Sequence, residues 1–87
     1  MSLDFYYIED NKRDKLLFSI NNNEVDFFVN NLRDKTGIVI DMYGTTRIYN
    51  AQIAMVLKSF KENKNIKFVD FLRVIYSEGK SLIIEGD

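Results

Sequence analysis

The 87-residue sequence has no histidine, no cysteine, no proline and no tryptophan, and only four glycines. Without cysteine there is no disulfide and no thiolate nucleophile. Without histidine as well, imidazole or thiolate zinc sites, a Ser-His-Asp relay and a phosphohistidine carrier role are excluded. The lack of cysteine also fits a reducing cytosol. A dominant charge is missing too. Twelve Lys and Arg stand against thirteen Asp and Glu, a net charge of −1, too balanced for a chain that lives by neutralising nucleic-acid phosphates or anionic lipid. No apolar run approaches the roughly 18 residues of a membrane span, and no signal-peptide pattern precedes the first polar segment. The expectation is a cytoplasmic chain with neither nucleic acid nor membrane as partner. The glycines, Gly37, Gly44, Gly79 and Gly86, are too scattered for a phosphate-cradling loop or a dinucleotide fingerprint, so no cofactor is expected.

What is present reads as one folded α/β domain over residues 1–87. Hydrophobic residues at 46% are enough for a core, and the length leaves no room for a second one. Two apolar runs, Phe5–Ile8 and Leu16–Ile20, flank the polar Glu9–Lys15, the pattern of a β-hairpin with a solvated charged loop. Asn21–Asn23 offers a side-chain cap to a following helix, with Glu24 and Asp26 in its first turn. Val25, Phe28, Val29 and Leu32 give that helix one apolar stripe, and Lys35 and Gly37 mark its end. Ile38–Val39–Ile40 is a continuous β-branched run, predicted to be the central strand and buried on both faces.

Asp41 closes that strand, and Tyr43–Tyr49 leads to Asn50, predicted as the N-cap of a second helix. Its stripe is Ile53, Val56, Leu57 and Phe60, and Lys58, Lys61 and Lys64 suit its C-terminal dipole. A nucleic-acid patch with Phe60 and Phe68 as stacking platforms is the disfavoured alternative for those lysines. Ile66–Phe71 reads as a returning strand. Beyond it, Asp70 can cap a short helix that buries Leu72, Ile75 and Tyr76 and ends at Gly79, or Phe71–Tyr76 can be a strand. The helix is favoured because Asp and Gly mark its ends. Leu82–Ile84 is a last strand. Asp41 is the best single candidate for a catalytic position, but a lone Asp there reads more naturally as a turn-former, and no base or nucleophile accompanies it. No enzyme is expected.

The densest local pattern is Ile38-Val39-Ile40-Asp41 followed by Gly44, Ile48, Ile53, Val56 and Leu57. It resembles the STAS domain of sulfate transporters and anti-sigma factor antagonists, in which an apolar strand ends in Asp and a short loop leads to an aliphatic helix start. Arg73-Val74-Ile75, Gly79 and Ile83-Ile84 are similar to the family's third helix and last strand. The resemblance implies a STAS-like fold: an N-terminal β-hairpin, then alternating helices and strands, with helices packed on a mixed sheet. It also implies a regulatory module whose partner is a protein, either an anti-sigma kinase-like protein or the chain's own copy. The family's phosphorylatable serine falls on Asn50, which cannot take phosphate but can still cap the helix, so the resemblance implies the fold without that switch. Tyr43, Tyr49, Asn50, Gln52 and Met55 are the expected contact face.

A second, shorter resemblance runs through Phe28-Val29, Ile38–Gly44, Arg47-Ile48 and Ile53–Leu57 to HPr, the phosphocarrier of the bacterial sugar phosphotransferase system. It implies a scaffold or regulator, because the active histidine falls near Asn21 and the regulatory serine on Gln52. Arg47–Tyr49 pairs with Ile38–Met42 in that reading and is loop in the first. A self-associating or immunity-type protein is the third alternative.

Overall fold

Leu3, Phe5 and Tyr7 alternate with Asp4 and Tyr6, so a strand through them turns one face to a core and leaves the other polar. The computed structural model describes residues 2–59 and 66–86 of the chain. In it, β1 (Leu3–Tyr7) pairs antiparallel with β2 (Phe18–Ile20), the N-terminal hairpin that the sequence predicts. Then follow α1 (Asn22–Thr36), β3 (Thr45–Ile48), α2 (Asn50–Ser59), α3 (Ile66–Ser77) and β4 (Leu82–Gly86). The four strands form one sheet in the order β2-β1-β4-β3.

Among the described residues every pairing is antiparallel, so the expected mixed sheet is not formed, and the expected strand Ile66–Phe71 is helical. The chain is nevertheless a compact α/β fold. The inward side chains Leu3, Phe5, Ile20, Ile48, Leu82 and Ile84 share a single core with the apolar stripes of the three helices. Five phenylalanines knit it together. Phe5 meets Phe18, Phe28, Phe68 and Phe71 edge-on at 5.8 to 6.2 Å, and Phe18 stacks on Phe71 at 4.9 Å. The stacking role considered for Phe68 is thereby ruled out, because the ring is buried inside this cluster. Phe60, Lys61, Lys64 and the polar stop at 63–65 lie outside the described residues.

Helix α1 buries Val25, Phe28, Val29 and Leu32 as their spacing requires. Gly37, at φ 78°, ends it in the left-handed conformation and donates its N–H to Arg33 O. Asn21 occupies the N-cap position, but its side chain makes no cap bond. Ile66–Phe71 is not a strand. It opens α3, whose buried residues Phe68, Val69, Leu72 and Ile75 follow the helical repeat, and Asp70 lies inside the helix instead of capping it. The helix ends in paired reverse bonds, Gly79 N–H to Tyr76 O and Lys80 N–H to Ile75 O, with Gly79 at φ 69°.

The central strand is also not where the sequence places it. Among the described residues Ile38–Ile40 pairs with no strand. Ile40 enters the core, Ile38 is half-buried and Val39 is 67% exposed, so the segment is an extended connector. The run buried on both faces is Leu82–Ile84 in β4, between β1 and β3. β3 pairs with β4, with Arg47 opposite Ile83 and Ile48 opposite Leu82. Arg47-Ile48 is therefore neither the loop of the first resemblance nor the partner of Ile38–Met42 required by the second.

Candidate functional site

Helix α2 starts where β3 leaves the sheet. Tyr49 O accepts both Gln52 N–H and Ile53 N–H, which makes Tyr49 the N-cap and Asn50 the first helical residue. The predicted cap at Asn50 is thus shifted by one position. Gln52 Oε1 reaches back to accept Tyr49 N–H at 2.9 Å, the glutamine half of a capping box.

With no capping task, the Asn50 side chain does something else. Its Nδ2 donates to Lys80 O at 2.9 Å and, at longer range, to Tyr76 O at 3.4 Å, while its backbone N–H donates to Ser81 Oγ at 3.0 Å. These bonds sew the start of α2 to the turn between α3 and β4. The same end of the sheet carries Tyr7, whose hydroxyl donates to Glu78 Oε1 at 2.9 Å and whose ring lies 5.8 Å from Lys80 Nζ. The bond to Glu78, with a smaller contribution from partial burial, raises the Tyr7 pKa above 10.0.

Three large side chains on the elements that meet here stay in water: Tyr49 at the start of α2 at 53%, Met55 of α2 at 48% and Tyr76 in the last turn of α3 at 44% exposure. Ile53 and Val56 occupy the core side of α2, and Met55 projects from its opposite side. Of the five residues expected to form one contact face, Tyr49 and Met55 are available to a partner. Asn50 and Gln52 are half-buried and hold the helix start together.

Tyr43 does not join them. It is 70% exposed, but it sits in the turn at the opposite end of β3, roughly 13 Å of strand away from Tyr49. Asp41 makes that turn, its Oδ1 accepting Tyr43 N–H at 3.0 Å, so it forms a turn and does not end a central strand. Tyr76 is an exposed residue that the sequence does not single out. The sequence places it with Leu72 and Ile75 on the buried stripe of the short helix, but in the structure it lies in the last turn of α3 and is 44% exposed. Among the described residues no group of three or more Asp or Glu is placed to hold a metal ion, and no helix is long and apolar enough to cross a membrane. No family model matches the chain, and no curated protein or solved structure matches it either.

Proposed function

We propose that the chain is a non-enzymatic regulatory module that docks a protein partner through the corner around the start of α2, in the manner of the anti-sigma factor antagonists and without their phosphorylation switch. The observation that carries this reading is the exposure of Tyr49, Met55 and Tyr76 on a support held rigid by the Asn50 and Gln52 hydrogen bonds. Tyrosine and methionine yield large contact area when desolvated, and a pre-ordered support lowers the entropy lost on binding. The docking role rests on that surface. The likeness between Ile38 and Leu57 contributes only the class of partner, an anti-sigma kinase-like protein or a second copy of the chain.

The test is a Tyr49→Ala/Met55→Ala double variant, titrated against a candidate kinase-like protein and, by sedimentation equilibrium, against itself. An affinity loss of about tenfold or more, with an unchanged melting temperature, is expected of a docking centre. Equal affinity of variant and parent would remove this corner as the contact.

A further inference from the structure

Lys67, Phe71, Val74 and Glu78 recur at intervals of four, three and four, the spacing of side chains that meet a second helix. In α3 and the turn that continues it they form one stripe roughly 16 Å long. Lys67 and Glu78 are exposed at its two ends, and Val74, 54% exposed, and the half-buried Phe71 fill its middle. Phe18, stacked on Phe71 at 4.9 Å, widens the apolar centre. The core takes a different side of the helix, that of Phe68, Val69, Leu72 and Ile75, and Tyr76 stands roughly 180° around it from Lys67.

The charges at the ends of the stripe oppose the helix dipole, which favours an anion near the N-terminus and a cation near the C-terminus. α3 has no acid in its first turn and no base in its last, and instead carries Lys67 at the start and Glu78 just past the end. Other charges on the helix answer one another: Arg73 Nη1 lies 3.4 Å from Asp70 Oδ1. Lys67 has no ion pair among the described residues, and Glu78 holds only the Tyr7 hydroxyl, on Oε1. An antiparallel second copy, with the two-fold axis crossing between Leu72 and Arg73, satisfies the whole stripe at once. It sets Phe71 against the partner's Val74 and Lys67 against the partner's Glu78, each contact made twice, and brings each misplaced charge beside the opposite pole of the other helix. A parallel pair would set like charge on like, so both direction and register follow from the stripe.

We propose that the chain forms a two-fold homodimer through this stripe, α3 against α3 in antiparallel sense. Two helices that meet over about three turns bury less than the roughly 1,200 Å² of a stable complex, so association belongs at about 100 μM and not at nanomolar concentration. The surface is separate from the α2 corner, and either can fail without the other.

Sedimentation velocity of the full chain from about 10 μM to about 1 mM spans that range, and the parent is expected to pass from monomer to dimer across it. Lys67→Glu alone and Glu78→Lys alone each turn two attractions into two repulsions, and should weaken the dimer about tenfold. An equimolar mixture of the two variants should regain the lost affinity, because one chain then brings two anions to the stripe and the other two cations. The double variant Lys67→Glu/Glu78→Lys should regain it as well, which a damaged fold would not. Val74→Asp, at an exposed position, should abolish the dimer with little change in melting temperature, and Tyr49→Ala/Met55→Ala should leave the dimer unchanged. A parent that stays monomeric throughout, single variants that associate like the parent, a mixture or double variant that fails to recover, or a dimer lost in Tyr49→Ala/Met55→Ala would each overturn the proposal.

Discussion

Asn50→Asp puts the introduced carboxylate where the amide nitrogen now donates to two carbonyl oxygens. The well-formed bond to Lys80 O contributes about 1 kcal/mol and the long one to Tyr76 O a few tenths. Crowding an anion against those oxygens adds about 1 kcal/mol more. An acidic side chain in the first turn of α2 returns about 0.5 kcal/mol through the helix dipole. The net cost is about 2 kcal/mol at pH 7, against about 1 kcal/mol for Asn50→Ala, which loses the donors without gaining the charge. In urea, with a slope of about 1 kcal/mol per molar for a domain this small, the midpoint should fall by about 2 M. The pH dependence has a definite sign. Crowding raises the introduced carboxyl's pKa in the folded state above its unfolded value, so protonation favours the native chain. Below about pH 4 the protonated group can donate again, and the deficit relative to the parent should shrink. Circular dichroism melts in urea at pH 7 and pH 3 read both effects. Parent-like stability at pH 7, or a deficit that does not shrink in acid, would refute the view that Asn50 staples α2 to the α3–β4 turn.

Phe5→Ala removes the ring that touches four other phenylalanines, and should cost about 3–5 kcal/mol, much of the stability of an 87-residue domain, seen as a low urea midpoint. Gly86→Ala drives a Cβ into the backbone carbonyl of Met42 and disturbs the Gly86 N–H bond to Gly44 O at 2.7 Å, so a loss of about 2 kcal/mol is expected in the same assay. Because the folded Tyr7 pKa is raised, its bond to Glu78 adds stability below pH 10 that is lost as pH climbs through the folded value; Tyr7→Phe should show a shallower alkaline decline in melting temperature.

The elements whose signals are local were legible. Helix α1 carries its stripe, first-turn acid and glycine stop within sixteen residues, and β1 and β2 alternate around a polar loop. Two features hid the topology. Ile38–Ile40 and Leu82–Ile84 are equivalent triplets by composition, and only the pairing partners of β4 decide which one lies in the middle of the sheet. In Ile66–Phe71 the β-branched and aromatic residues masked a helical repeat that emerges only when residues 66–77 are taken as one window. At the candidate site, Tyr49 and Met55 were recognisable as large side chains beside a helix start. The role of Asn50 is not legible, because its carbonyl partners, Tyr76 O and Lys80 O, lie at the end of α3 and in the turn after it, and nothing local separates Tyr43 from Tyr49 until β3 forms between them.

The docking claim is tested most directly by placing a photoreactive phenylalanine analogue, one position at a time, at Tyr49, Met55, Tyr76 and the exposed control Val39, and irradiating cells that make the chain. A discrete protein adduct, the same from 49, 55 and 76 and absent from 39, is the expected result. Adducts equally strong at the control position, or none at the three α2-corner positions, would contradict it.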